Sequence, residues 1–334
     1  MDGVVIVGRN HVCDRSYFHR AQKKWRGHFL ALTVTGVVIS TRTFRLVTGV
    51  ALGSLCIIIF TGALVRLTGS GLGCVDWPKC NESKFIDVST GHTFIEQANR
   101  LFTGFVSASV ILAVLTAHRA RPHRRDLITL AWLLVAGVLM QVVIGGIVVL
   151  TGLNPYANMA HFLVSMVLIA LALLLYRRAG VARPIQWFRT FPAQLVSTVR
   201  LLTLLGVIAV VTGTVVTATG PHAGGEDAVR FGFELSNVAR LHGITVIATV
   251  ATLVYLLWKL RNNPDTSDQR DSLVMLGYVA VAQGIVGYSQ YLTGVPVFLV
   301  GVHIIGATAF FLALCNVVYA PRDEEFVSVG DSAY

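Results

Sequence analysis

Three histidines interrupt long apolar stretches of this chain: His161 in NMAHFLV, His242 in VARLHGI and His303 in VGVHIIG. An imidazole inside an apolar helix either hydrogen-bonds to a neighbouring helix or ligates a metal. Three at similar depth, two of them in duplicated strings, favour ligation. Facing helices of a bundle supply cofactor ligands from their inner side chains. His242 and His303 together suit axial ligation of one haem iron. Gly243, Gly301 and Gly306 beside them leave room for a porphyrin plane, or for close helix packing. The other seven histidines read as surface groups. His11, His19, His28, His118 and His123 fall in polar inner segments, and His92 and His222 in outer loops.

The duplicated strings run from Gln141 to His161 and from Gln283 to His303, the same interval in each. A shift of 142 also aligns Gly145 with Gly287, Leu150 with Leu292, Thr151 with Thr293 and Gly152 with Gly294. A second echo pairs TGALVRLTG, from Thr61, with TGTVVTATG, from Thr212. If His161 has a partner by this duplication, it belongs where the sequence reads HTFIEQANR. The position matching His242 is Asn99. Glu96 stands three residues before it and Arg100 one after, so Glu96 and Asn99 share a helix face. A carboxylate there is either used in chemistry or paired with Arg100. One half thus has a complete histidine pair, and the other has one histidine, an acid and an amide.

The elements that position these residues follow from hydropathy. The chain is 54% hydrophobic and only 13% charged, with a mean hydropathy of +0.68. Soluble domains carry roughly 25% charged residues, so this is a polytopic membrane protein. Eight segments suffice to span: 45–66, 94–117, 127–150, 158–176, 201–219, 238–258, 272–292 and 296–318. Each must be helical, because lipid satisfies no backbone group. The expected fold is all-α: eight transmembrane helices in two pseudo-symmetric four-helix bundles, made by a parallel duplication. The expected divisions are a basic cytoplasmic tail 1–44, a first bundle 45–177, a linker 178–200, a second bundle 201–318 and a C-terminal tail 319–334.

With both termini inside, 21 of the 27 Lys and Arg fall on inner segments. The net charge of +10 is therefore topological and excludes a nucleic-acid footprint. The setting is the lipid bilayer of the cell membrane, with His161, His242 and His303 toward the outer face. Residues 29–39 resemble a signal-peptide core, but no cleavage site follows; an interfacial stretch or an over-extended reading frame fits better. Cys56 and Cys315 read as small apolar residues. Cys74 and Cys80 share one outer loop, where an oxidising face favours a disulfide over a metal site of poor spacing.

The loop TGSGLGCVDWPKCN, the strings IEQANR and RLHG, and the loop GPHAGG resemble haem A synthase over roughly residues 44–318. That resemblance implies oxidation of a haem O methyl group to a formyl group by successive hydroxylations, for terminal cytochrome oxidase. It implies haem b between His242 and His303, and substrate haem O at His161. Glu96 matches the family's essential glutamate, handling protons or stabilising positive charge at the methyl carbon. Asn99 stands where the family has histidine, with Arg100 following as in the family. Cys74 and Cys80 match its loop cysteine pair. Arg66, Arg230 and Arg240 are candidates for haem propionates or for interfacial anchors. Implied partners are haem O, an unidentified electron-transfer protein, and haem O synthase or oxidase assembly factors. The competing readings are a di-histidine b-type cytochrome that only carries electrons, and a duplicated transporter.

Overall fold

The computed structural model describes residues 38–180, 191–225 and 227–319. Most of the basic tail, including Cys13 and most of the 29–39 stretch, lies outside the described residues, as do much of the linker and the C-terminal tail. Eight long helices follow in order: α1 (Thr41–Leu67), α2 (Gly91–Arg119), α3 (Arg125–Leu150), α4 (Pro155–Ala179), α5 (Val196–Thr219), α6 (Leu235–Leu260), α7 (Ser267–Leu292) and α8 (Val297–Tyr319). All eight are long and apolar enough to cross a membrane, and the protein is a multi-pass membrane protein.

Seven of the eight helices begin before the expected apolar segments, and the caps explain it. Ser40 Oγ accepts the Thr43 N–H at 3.1 Å. Thr90 and Thr93 form a capping box ahead of α2. Asn154 caps α4, with Pro155 at its first position. Polar caps satisfy the first backbone donors outside the apolar stretch, where hydropathy cannot see them. His92, expected in a loop, therefore lies in the first turn of α2.

Helices α1 and α2 pack as one pair and α3 and α4 as another, and α1–α4 and α2–α3 contacts close the ring. Helices α5–α8 repeat the same pairings. Helix α8 packs on α1 and α4, and α5 packs on α4, joining the two sets. The largest buried cluster centres on Leu134, Ile169, Leu175 and Val110 and reaches across to Cys315 and Tyr319 of α8. A second cluster gathers Leu202, Leu256, Leu273, Leu276 and Leu314. Both lie away from the loop that holds Cys74 and Cys80, here called the disulfide end.

At the disulfide end the packing changes. No residue of α2 between Glu96 and Val106 is buried, nor of α4 between Pro155 and Met166. The same holds for α6 before Thr249 and α7 after Ala280. These levels hold Asn99, His161 and His242, so the polar residues sit where the helices do not close on one another.

The duplicated turns after α3 and α7 share a backbone. Gly152 and Leu153 have φ of 62° and 63°, and Gly294 and Val295 have 79° and 60°. The Leu153 N–H reaches Val148 O at 2.8 Å, and the Val295 N–H reaches Gln290 O at 2.7 Å. Left-handed backbone costs a non-glycine residue about 1–2 kcal/mol. Leu153 recovers that by burial: it is 4% exposed, packed with Val148, Ala223 and Ala228 between the loops after α1 and α5. Val295 is only half-buried. Leu153→Gly should therefore destabilise the solubilised protein, because a lost leucine core contact costs about 2–5 kcal/mol. Val295→Gly should be neutral or stabilising. Thermal unfolding of both variants checks this, and equal shifts would show that Leu153 is no plug.

Candidate functional site

Each histidine of the site is held by a donor and faces a glycine. Gln141 Nε2 donates to the His161 carbonyl at 2.9 Å, and Gln283 Nε2 donates to the His303 carbonyl at 3.0 Å. The repeated Gln-to-His interval is thus a hydrogen bond between consecutive helices, fixing α4 on α3 and α8 on α7. His242 is held through its ring instead, with Thr212 Oγ1 at 3.1 Å from Nδ1. A Cβ built at Gly145 would lie 3.5 Å from His161 Cε1. The same construction gives 3.2 Å from Gly213 to His242 Cε1 and 3.1 Å from Gly287 to His303 Cε1. A side chain at Gly213 or Gly287 would press on the ring edge, and one at Gly145 would touch it.

The fourth position repeats the scheme with a different residue. Thr61 Oγ1 donates to Asn99 Oδ1 at 2.8 Å, and Thr61 aligns with Thr212 as Asn99 does with His242. The glycine beside Thr61 is Gly62, and a Cβ there would meet nothing within 4 Å.

Glu96 is buried and 5% exposed. Its Oε1 accepts Arg100 Nε at 3.0 Å and Arg100 Nη2 at 2.7 Å, and its Oε2 accepts the Cys74 N–H at 2.7 Å. Arg100 also donates to the carbonyls of Lys79 and Asp76. The carboxylate and guanidinium together bind the loop down onto α2. Charge-assisted bonds of this kind are roughly twice as strong as neutral ones. The ion-pair alternative raised by the sequence is therefore present, alongside any chemical use of the acid. Cys74 and Cys80 form a disulfide and are fully buried. Between them Trp77 leans on α3: a Cβ at Gly146 would fall 2.7 Å from its indole. Gly145 and Gly146 thus receive the His161 ring and the Trp77 indole side by side. Further out on the loop, Ser89 and Lys84 donate to Asp87 and hold its carboxyl below the ordinary carboxylate range.

The arginines take different partners. Arg66 Nε donates to His222 O and its Nη2 to Thr217 O, both at 2.6 Å. A cation on the last carbonyls of a helix is favourable, and here it ties α1 to the end of α5. Two of the three Arg66 guanidinium nitrogens are thus engaged by backbone carbonyls. Arg230 Nη2 donates to Pro221 O at 2.9 Å, while Arg240 is exposed and has no partner among the described residues. His222 Nε2 lies 2.8 Å from Val295 O, so the loop after α5 also holds the turn that starts α8. The sequence showed Thr61, Thr212 and Trp77 as repeats or motif members, but gave no sign of their partners.

The residues present fit an iron porphyrin. His161 Nδ1 and His303 Nδ1 are buried with no hydrogen-bond partner among the described residues. Nδ1 therefore ties neither ring to another helix, and Nε2 is the atom that would meet an iron. The glycines facing the rings and the unburied levels of α2, α4, α6 and α7 leave room beside each imidazole. No cluster of three or more His, Cys, Asp or Glu able to hold a bare metal ion occurs among the described residues.

Comparison with known proteins converges on the same regions. The chain is 27% identical over 277 residues to a protein of Listeria monocytogenes named Heme A synthase, covering 78% of this chain and 89% of that one. Proteins of the same name from Geobacillus thermodenitrificans and Lysinibacillus sphaericus are 36% and 37% identical over 107 and 120 residues. Those two alignments cover 31% and 36% of this chain, and 33% and 39% of the relatives' length. A family model, described as cytochrome oxidase assembly protein, matches residues 45–90 and 85–315. The match runs from α1 to α8 through every residue of the site, and the chain belongs to the cytochrome oxidase assembly protein family.

Proposed function

We propose that this protein is a haem A synthase, a membrane oxidoreductase that converts the methyl group of haem O to a formyl group by successive hydroxylations and loss of water. The observation that carries the reading is the paired scheme of rings on glycines, complete in α5–α8 and altered in α1–α4 on a chain of this family. A complete pair suits a resident cofactor, and an altered pair suits a site that turns over its occupant.

His242 and His303 would hold haem b, which when bound supplies one-electron redox chemistry. Thr212 fixes the plane of His242 through Nδ1, and Gln283 fixes the backbone that presents His303. His161 would hold the iron of substrate haem O, with Gln141 performing the same service. Glu96 has three N–H donors directed at it, all favouring the anion. Burial works against that charge, and the role of Glu96 is to stabilise positive charge developing at the methyl carbon or to handle a proton there. Arg100 keeps that charge in place and holds the loop over the site. Arg240 is the arginine left to meet a propionate. The bias of basic residues supports cytoplasmic termini and haem sites toward the outer face of the cell membrane. Partners are haem O, an electron-transfer protein, and haem O synthase or oxidase assembly factors.

His242→Ala or His303→Ala should reduce tightly bound haem b at least tenfold in the purified protein, measured as the pyridine haemochrome; unchanged content would refute the pairing. Glu96→Gln keeps an acceptor for the Cys74 N–H while removing the charge. It should retain haem b and lower haem A formation by about 100-fold or more, the usual scale for losing one electrostatic contact at a reacting centre. A normal haem A yield would remove Glu96 from the mechanism.

A further inference from the structure

We propose that Asn99 leaves His161 as the only imidazole on the substrate iron, and that its amide offers N–H donors to a small ligand on the open side. This rests on the reading of α1–α4 as the substrate-haem site. The argument is internal to the chain. Four equivalent positions exist, and three carry histidine. In those three the ring edge comes within 3.1–3.5 Å of where the facing glycine would carry a Cβ. At the fourth, Gly62 meets nothing within 4 Å. The space that a ring fills elsewhere is not filled by the shorter amide.

The Thr61 contact decides what Asn99 can do. Asn99 Oδ1 and His242 Nδ1 are both attached to Cγ, and both are met by the threonine of the preceding helix, at 2.8 and 3.1 Å. In a histidine the ring continues beyond that point to Nε2, the atom free for iron. In the asparagine the chain ends there. Its oxygen is taken by the Thr61 hydroxyl, and its amide nitrogen has no lone pair to give. Asn99 is therefore a hydrogen-bond donor, and Nδ2 has no partner among the described residues. Thr61 sets which way the amide is turned: its hydroxyl proton goes to Asn99 Oδ1 at 2.8 Å, the shorter of its two contacts, which leaves the N–H pair facing away from that hydroxyl.

The neighbouring groups do not replace the missing ring. Both Glu96 oxygens are bound, to Arg100 and to the Cys74 N–H. Cys74 and Cys80 are joined to each other. His92 is exposed and its Nδ1 is 2.9 Å from Ser70 Oγ. An iron carrying His161 alone has one axial position left for a small molecule with an acceptor atom. Asn99 then acts on that molecule, not on the metal.

The test uses full-length protein purified from a host that makes haem O, with carbon monoxide as the probe on the reduced protein. Haems are extracted and counted from the same samples. The parent should show carbon monoxide binding in proportion to its haem O, while the haem b fraction stays unreactive. Asn99→His should retain haem O, become low-spin and bind carbon monoxide at least tenfold more weakly. Asn99→Ala keeps the open side but loses the donors; it should still bind carbon monoxide, with a raised C–O stretching frequency. Haem O that is low-spin and inert to carbon monoxide in the parent would overturn the open position. An unchanged C–O stretch in Asn99→Ala would overturn the donor role. Should His161→Ala leave haem O content unchanged, the failure lies in the substrate-site reading itself, and the inference falls with it.

Discussion

An imidazole can lie edge-on inside a helical bundle only where the facing helix offers no side chain. His161, His242 and His303 each face a glycine; the Thr212 hydroxyl meets the His242 ring, while Gln141 and Gln283 hold His161 and His303 through their backbone carbonyls. The glycines that receive the rings weaken side-chain packing at that level, and α2, α4, α6 and α7 bury no residue there. Stability has to come from elsewhere. The leucine-rich clusters toward the other end supply it, while links between loops hold the open end together: Glu96 and Arg100 on the disulfide loop, Arg66 on the end of α5, and Leu153 between the loops. In lipid, helix association depends on packing and interhelical hydrogen bonds rather than on burial from water.

The duplicated strings recur at matching places in α1–α4 and α5–α8, whose helices make the same pairings, and single residues set the two apart. Asn99 in place of a histidine, Glu96 in place of Ala239 and Gly146 in place of Tyr288 all distinguish the first half from the second. The last of these admits Trp77 from the disulfide loop, which has no counterpart between α5 and α6. The first half is therefore covered by a cross-linked loop and bears a buried charge. The second carries a histidine at both matching positions. A holding half and a reacting half account for these differences on one backbone plan.

Much of this was legible in the sequence, because apolar length and repeated strings are one-dimensional signals. Eight spans, their order and the matching of His161 with His303 could all be read directly. The Gln-to-His interval was visible too, although its meaning, a glutamine amide on the histidine carbonyl, needed two helices side by side. Other features were hidden for the same reason. Thr61 and Thr212 were conspicuous as repeats, but their partners lie 38 and 30 residues away on another helix. Arg66 read as an interfacial anchor or a propionate candidate because an arginine near a span end usually faces a headgroup or an anion. Its carbonyl partners are more than 150 residues distant. Helix starts were read late because Ser40, Thr90 and Asn154 are polar, and capping extends a helix past its apolar core.

The central claim is that this chain turns haem O into haem A. Extraction and chromatography of haems after expression in a host that makes haem O but no haem A tests it most directly. The account predicts haem A, or its hydroxylated intermediate, in cells carrying the protein and neither in cells without it. Haem b bound to the purified protein, with haem O present and untouched, would contradict the account and favour a protein that only carries electrons.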